Sequence, residues 1–446
     1  MRWQVGAPDT ISGCALTAPR RIDPIAPDML PADRLPAPPA GEAIDLLSGI
    51  RVLDLTTSIA GPYATLLLAD MGASVVKVER PGTGDDARAW GPPFLDGESL
   101  WFMSVNRNKQ SVALDYSNPA GLAALHALVA AADVIVVNLV ARIQRKLGVD
   151  YAALSALNPR LVHVSITGFG LTGPNADSPC YDLIAEGYSG VMDLTGEPGQ
   201  DPQKVGTPAA DLLAGSDAAM AALAAIVARG RTGRGRAVDV SMVESMTRFM
   251  TPRLVSYLGS GELPRRSGGK DSVIAIYQTF ETADEPMTLG PGNDAIWARF
   301  CEAIGRPDLA SDPRYASNAG RRAERPALVA EIATVLRREP RAHWMALFAQ
   351  ARIPAGPINR LDEVVRDPTL GARGLFYTAR RGETPVPQVG LGIHFDGNAN
   401  TFRELPPLLG EDTREVFRSW LGWTDRQVDD LDGTGALRPA ARERDT

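Results

Sequence analysis

The segment IRVLDL at residues 50–55, with the loop TTSIAGP at 56–62 that follows it, decides the fold of this chain. The first six residues have the apolar content of a buried strand. Gly61 and Pro62 then open a helix that we predict over residues 63–71, because proline is favoured in the first turn of a helix. SVVKVE at 74–79 predicts a second strand. Two strands joined by a helical crossover pair in parallel, so this segment is a β-α-β unit.

The same alternation of strands and helices continues along the chain. Further strands are predicted at 111–114, 133–137, 161–165 and 237–241, with helices at 118–132, 151–157 and 210–229. This pattern predicts an α/β fold with a large, Rossmann-like parallel sheet covered by helices on both faces. Beyond residue 258 the pattern changes to a short β region at 273–290 and helices near 294–304, 319–338 and 340–351, which predicts a smaller α+β domain.

The chain divides into four parts. Residues 1–45 form a proline-rich extension, which we expect to be an extended arm or a disordered tail; the alternative is a strap lying over a partner subunit. Residues 46–240 form the first part of the large domain, 241–352 the linker and small domain, and 353–446 the return to the large domain.

Composition excludes several classes of protein. The 446 residues carry a net charge of -7 without a Lys/Arg-rich run, which argues against a nucleic-acid partner. The apolar stretches at 118–132 and 214–228 are too short for a membrane span, and the N-terminus lacks the apolar region of a signal peptide. The 3 cysteines and 4 histidines lack metal-ligand spacing, so we expect no metal site and a reducing, cytoplasmic location.

Ligands of parallel sheets bind beyond the carboxyl ends of the strands, so the loops there are the first candidates for a site. The loop at 56–62 lacks GxGxxG but leads into a helix N-terminus, which favours an anion or a thioester carbonyl. Arg80 ends the second strand beside a glycine-rich turn and suits a phosphate. The alternatives are a plain strand-to-helix loop and a solvated surface arginine.

Two aspartates lie in settings that allow two interpretations. Asp211 begins the Ala-rich helix, where it is either an N-cap or a nucleophile approached past small residues, and sequence alone favours the cap. Asp182 poses the same question. The chain lacks a Gly-x-Ser-x-Gly elbow and a P-loop, so carboxylates dominate the candidate nucleophiles.

Taken together, these segments resemble the family III CoA-transferases, which also contain the α-methylacyl-CoA racemases. The resemblance begins near residue 46 and extends into the C-terminal region. It rests on an ordered set of short matches at 52–56, 60–62, 76–82, 106–109, 114–115, 165–174, 181–182, 189–190, 211–212, 232–235, 353–357 and 407–410. Residues 84–93 and 104–109 are most similar to the succinyl-CoA:dicarboxylate, or glutarate-type, branch.

The resemblance implies an assembly and a reaction. The assembly is a homodimer of two chains threaded through each other like linked rings. The reaction moves CoA between an acyl-CoA and a free carboxylic acid, with Asp211 as the nucleophile that carries first the acyl group and then CoA. Coenzyme A and acyl-CoA are then substrates, and no permanently bound cofactor is implied.

The resemblance also implies contacts to CoA, carried over position by position. These residues are Ser58, Ile59, Ala60, Arg80, Leu114, Asn138, Lys146, Tyr181 and Asp182. The chain departs from family patterns at three of these places. Tyr181 replaces the histidine typical of the racemases, Ile59 replaces the glutamine of formyl-CoA:oxalate enzymes, and an Arg-Pro-Gly turn after Asn138 is missing. A racemase and a non-catalytic acyl-CoA-binding subunit remain as alternatives.

Overall fold

The computed structural model describes residues 31–437, and its centre is a six-stranded sheet. The strands are β1 (Arg51–Leu55), β2 (Ser74–Glu79), β3 (Lys109–Ala113), β4 (Val134–Val137), β5 (Val162–Thr167) and β6 (Ala237–Ser241). Every neighbouring pair is parallel and the order is β3-β2-β1-β4-β5-β6. This is the strand order of nucleotide-binding α/β folds, so the predicted Rossmann-like sheet is confirmed.

The helices between residues 60 and 260 include those that cover both faces of this sheet. They are α1 (Ala60–Asp70), α2 (Leu100–Ser104), α3 (Pro119–Ala131), α4 (Ala141–Leu147), α5 (Tyr151–Leu157), α6 (Asp182–Ser189), α7 (Val191–Leu194), α8 (Ala209–Thr232), α9 (Met242–Phe249) and α10 (Thr251–Ser260). A short hairpin lies outside the main sheet, and its two antiparallel strands of two residues each are Phe94–Leu95 and Glu98–Ser99. On β1, Val52 packs into the core under α1 and α8, while Leu53 packs into the core on the opposite face. Both faces of the strand are therefore apolar.

The small domain is built around a three-stranded antiparallel sheet. Its strands are β7 (Gln278–Phe280), β8 (Met287–Leu289) and β9 (Ala355–Pro357). Its helices are α11 (Asp294–Ala303), α12 (Pro307–Ser311), α13 (Asn318–Ala323), α14 (Arg325–Leu336) and α15 (Arg341–Gln350). The single helix expected over 319–338 is two helices, since Pro326 lies in the first turn of the second. Because β9 pairs with β8, the small sheet extends past residue 352, where the sequence predicts the end of the small domain.

After β9 the chain returns to the large domain. It passes through α16 (Leu361–Val364), α17 (Pro368–Ala372) and the hairpin β10 (Phe376–Arg381) with β11 (Thr384–Val389), then ends in α18 (Thr413–Leu421) and α19 (Asp425–Gly433). Val416 and Phe417 of α18 are fully buried in the same core as Leu53. The C-terminal segment therefore completes the large domain.

The described part of the proline-rich extension lies along this returning segment. The Oγ1 of Thr378 on β10 donates to the Ala32 carbonyl at 2.6 Å, and its backbone N–H donates to Pro36 at 2.8 Å. Asn400 donates to the Gly41 carbonyl at 2.7 Å. These contacts belong to one chain. Residues 1–30, which carry most of the predicted arm, lie outside the described residues.

Helix α8 is longer than the sequence interpretation allowed. It spans 24 residues and is long and apolar enough to cross a membrane, so the expectation of a short apolar stretch is wrong. Its alanine-rich face, which includes Ala214 and Ala218, is buried against α1 and the sheet. Near its end Arg229 pairs with Asp133 at 2.8 Å. The apolar composition of α8 thus serves to bury one face in the large domain.

Candidate active site

The strand order reverses its direction between β1 and β4, and two candidate segments meet there. The loop at 56–59 follows β1, and Asn138 follows β4. The side-chain amide of Asn138 donates to the Thr57 carbonyl at 2.8 Å and accepts from the Thr57 N–H at 3.1 Å. Crevices at such switch points are where open parallel sheets bind ligands. Asn138 therefore fixes the loop with its side chain.

The helix that follows this loop begins without a cap. Ile59 is the N-cap position of α1, and its side chain makes no capping hydrogen bond. Within residues 31–437, the backbone N–H groups of Ile59, Ala60 and Gly61 have no acceptor. Unsatisfied amides in the first turn of a helix attract negative charge. The start of α1 is therefore a candidate for contacting an anion or a polarised carbonyl oxygen.

Asp211 lies beside this helix start because α8 packs closely on α1. It is the third residue of α8 and is partly buried. One turn later, a Cβ added to Gly215 would lie 2.6 Å from the Ala60 carbonyl oxygen, so the two helices touch at Gly215. The side chain of Leu212 packs against the small apolar cluster of Ile59, Leu66 and Val105. The first turn of α8, which contains Asp211, therefore lies next to the beginning of α1.

Neither aspartate caps its own helix, which corrects the interpretation that sequence alone favoured. Pro208 occupies the N-cap position of α8 and Tyr181 that of α6, and neither side chain makes a capping hydrogen bond. Instead, the Oδ1 of Asp182 accepts from the N–H groups of Ala210 at 2.8 Å and Asp211 at 3.3 Å. Asp182, at the start of α6, caps the helix that carries Asp211.

The surroundings of Asp211 make its carboxylate unusually basic. Burial raises the pKa of Asp211, and the negative charge of Asp182 raises it further, to about 7. No cationic side chain is among the groups that shift this pKa. Asp211 therefore changes its protonation state near neutral pH, as perturbed groups in functional sites often do.

The sequence did not single out two features near this site: Glu186, and the contact between Gly168 and Cys180. Glu186 lies one turn beyond Asp182 and accepts from the Val205 N–H at 2.8 Å, which ties α6 to the segment before α8. The Cβ of Cys180 lies 2.1 Å from where a Cβ of Gly168 would be, so the loop after β5 packs directly on it. The sequence marked Gly168 only as part of the family match at 165–174.

The remaining predicted residues lie in different environments. Arg80 is 58% exposed and forms an ion pair with Asp86. Leu114 is fully buried in the core, and its backbone N–H donates to the Glu79 carbonyl at 2.8 Å, so this residue is not exposed to a ligand. Lys146, in the last turn of α4, and Tyr181 are exposed.

Comparison with known proteins agrees with this arrangement. The family model for CoA-transferase family III matches residues 47–413. The chain is 36% identical over 394 residues to the succinyl-CoA:glutarate CoA-transferase of Mus musculus, which covers 88% of this chain and 90% of that protein. It is 38% identical over 378 residues to the succinate–glutarate CoA-transferase of Agrobacterium fabrum, covering 83% and 94%.

A solved structure shares the fold as well. The crystal structure of a CAIB/BAIF family protein from Brucella suis matches with a TM-score of 0.75 at 36% identity, covering 84% of this chain and 100% of that one. The resemblance inferred from the sequence, including the glutarate-type branch, is confirmed. The chain belongs to CoA-transferase family III and is an enzyme that transfers CoA.

Proposed function

We propose that this enzyme moves CoA from an acyl-CoA such as succinyl-CoA to a free dicarboxylic acid such as glutarate, through covalent intermediates on Asp211. The observation that carries the proposal is the position of Asp211, a basic carboxylate beside the uncapped start of α1. The names of the two relatives support the choice of acids.

The exchange proceeds in steps that each replace one acyl bond by another. An oxygen of Asp211 attacks the thioester carbonyl, the C–S bond breaks, and CoA leaves as a thiolate, which gives a mixed anhydride. The thiolate attacks the Asp211 carbonyl carbon, and the donor acid leaves as a carboxylate. The acceptor carboxylate then attacks the Asp211 thioester, and the released thiolate attacks the acceptor's carbonyl carbon. The last step regenerates Asp211, so one difficult exchange is divided into easier ones.

The residues around Asp211 support these steps. Its raised pKa makes the ionised carboxylate a stronger nucleophile than an exposed aspartate. Negative charge develops on the carbonyl oxygen in each attack, and the free amides of Ile59, Ala60 and Gly61 are the nearby donors suited to stabilise it.

We propose that CoA extends from this point along the carboxyl edge of the sheet. The pantetheine arm would contact the loop of Ser58, Ile59 and Ala60 and the segment that begins at Asn138. Arg80 and Lys146 are exposed cations that suit the phosphates. The exposed ring of Tyr181 suits an apolar part of the substrate. Asp182 would not contact CoA itself; it holds the start of α8 and raises the pKa of Asp211.

We also propose that the enzyme is a homodimer with interlocked chains. Large apolar side chains are exposed in one chain along α6, α8, α10 and the following linker, including Tyr188, Met220, Leu258 and Leu263, which are 60% to 77% exposed. Exposed apolar patches of this kind mark protein interfaces. Light scattering should give twice the chain mass of 47.5 kDa, and a monomer at micromolar concentration would refute the dimer.

The proposed function is tested by trapping the intermediate. The protein is incubated with succinyl-CoA, treated with hydroxylamine or borohydride, digested and mapped by mass spectrometry. Modification is expected at Asp211 and should vanish in Asp211→Asn. The matched control is Asp217→Asn on the same helix, whose carboxylate is bonded to Ser245 and Arg248, and this variant should still be modified. An unmodified protein that exchanges the substrate's α-proton with solvent would instead establish a racemase.

A further inference from the structure

A buried ion pair that the proposed reaction does not use lies beneath the loop at 56–59. The Nζ of Lys77 on β2 lies 2.8 Å from the Oδ2 of Asp85, and both side chains are fully buried. Lys and Asp are rarely buried to this extent unless they are paired. The pair contacts neither Asp211 nor the exposed cations Arg80 and Lys146. Each of its side chains also makes a hydrogen bond to the loop.

Each member of the pair also holds one residue of the loop. Lys77 Nζ donates to the Thr56 carbonyl at 2.7 Å. Asp85 Oδ1 accepts from the Ser58 N–H at 2.8 Å. Lys77 and Asp85 therefore fix the loop backbone at Thr56 and at Ser58, and the ion pair connects these two attachments.

The loop residue held in this way has a strained backbone. Ser58 has a φ of 71°, in the left-handed region that residues other than glycine rarely adopt. Such conformations persist where the surroundings over-determine them, and they cluster at ligand sites. The conformation of Ser58 sets the direction in which the chain enters α1, and hence where the free amides of Ile59 to Gly61 lie.

The charged groups around the pair act on the same segment. Asp54 accepts from the Thr56 N–H at 3.0 Å and from Lys109 Nζ at 3.0 Å. Lys109 also donates to the Pro62 carbonyl at 2.8 Å, at the far end of the segment. The buried network therefore contacts the loop on both sides of Ser58.

Stability alone is a weak reason for such a network. Replacing a buried ion pair by apolar residues of similar volume is often neutral or stabilising, while the directional bonds of charged groups can specify one conformation. We propose that Lys77 and Asp85 are positioning residues for the acyl-CoA substrate, because they hold Ser58 and the start of α1 in the conformation that binds it. This inference rests on the proposed function.

The test separates the two substrates of the exchange. Asp85→Asn keeps an oxygen for the Ser58 N–H but removes the charge that pairs with Lys77. We expect the KM for the acyl-CoA to rise about tenfold or more, while the KM for the acceptor acid changes less than about twofold. Adding Ser58→Gly to Asp85→Asn should recover part of the loss, because glycine adopts a positive φ without strain. If Asp85→Asn does not fold, Lys77→Gln takes its place.

The matched control is a second buried carboxylate, which lies on α1 and not in the Asp85 segment. Asp70, at the C-terminal end of the helix, is fully buried and bonded to Arg107 and Asn108. Asp70→Asn should lower the melting temperature with equal effects on the two KM values. Equal changes of both KM values in Asp85→Asn, or no recovery with Ser58→Gly, would overturn the positioning role.

Direct binding distinguishes this inference from the proposed function. The Kd of CoA is measured by calorimetry for the full-length protein and for Asp85→Asn. A Kd weakened about tenfold, in a protein that shows no Asp211 adduct, would support the positioning role and refute the reaction. If Asp85→Asn binds CoA with an unchanged Kd while the protein forms the Asp211 adduct, the reaction is supported and the positioning role is refuted.

Discussion

The carboxylate of Asp182 accepts hydrogen bonds from two consecutive backbone N–H groups, those of Ala210 at 2.8 Å and Asp211 at 3.3 Å. Asp182 thereby caps the helix that carries Asp211 while its charge opposes ionisation of the Asp211 side chain. One side chain thus fixes the place of the proposed nucleophile and raises its basicity. These two effects can be separated, because an amide oxygen can cap a helix without a charge.

Asp182→Asn should shift the pH dependence of the reaction. The reactive form of Asp211 is ionised, so kcat/KM of the wild-type enzyme should rise with pH through about 7 and then level off. The variant keeps the cap and loses the repelling charge, so the same rise should occur at lower pH. Initial rates between pH 5 and 9 measure this shift. A profile that stays in place, or moves to higher pH, would contradict the assigned role of Asp182.

Asp211→Asn should stabilise the protein above neutral pH. The pKa of Asp211 is raised in the folded state from 3.8 to about 7, so the stability that its carboxyl group contributes is present below pH 3.8 and is lost as the pH rises to 7. Each unit of difference between the folded and unfolded pKa is worth about 1.4 kcal/mol, so removing the ionisable group should raise the free energy of unfolding at pH 8 by up to about 4 kcal/mol. Denaturant unfolding at pH 8 and pH 4 tests this, since the difference should nearly vanish at the lower pH.

The contact between α8 and α1 can be tested with two glycines of the same helix. A Cβ at Gly215 would meet the Ala60 carbonyl oxygen at 2.6 Å and Tyr63 at 3.0 Å, whereas one at Gly230 would meet nothing within 4 Å. Gly215→Ala should cost about 1–3 kcal/mol of stability and lower kcat/KM about 10- to 100-fold by displacing Asp211. Gly230→Ala should leave activity unchanged and stabilise by up to about 1 kcal/mol. Similar behaviour of both variants would refute the close contact.

Cys180 should react slowly with alkylating reagents. Burial raises the pKa of its thiol, and the charge of Asp211 raises it further, to about 11. Iodoacetamide at pH 8 should therefore modify Cys180 about 100-fold more slowly than a free thiol, and faster in Asp211→Asn. Cys301, which is fully buried, should not react in the native protein. Peptide mapping assigns each modification, and a fast reaction of native Cys180 would contradict the environment described for it.

The sheet could be predicted from the sequence because its signals are local. Most strands are short apolar runs next to a helix with its own start signal, such as Pro119 after Asn118, and the alternation of such units implies parallel pairing. The predicted strands at 133–137 and 237–241 agree with β4 and β6 to within a residue. The predicted helix at 210–229 was too short because its last turn, which ends before Gly233, resembles a polar turn in sequence.

The partners of charged side chains could not be predicted in the same way. The sequence around Asp211 favours a cap over a nucleophile, because a cap is the common role of aspartate at a helix start. The true cap, Asp182, lies 28 residues from Ala210 and begins a helix that the sequence did not predict. The family resemblance implies Leu114 as a CoA contact, but the whole residue is buried in the core and its N–H donates to Glu79.

The sequence by itself determined the parallel α/β architecture, because strands and helices depend on patterns between residues near each other along the chain. It also determined the family through an ordered set of short matches, and only the resemblance to that family implied Asp211 as the nucleophile. Only the tertiary structure decided the environment of Asp211: the cap from α6, the approach to α1 at Gly215, and the buried Lys77–Asp85 pair beneath the loop. Burial and Coulomb interactions depend on distances between segments far apart in sequence, and packing of the helices on the sheet sets those distances.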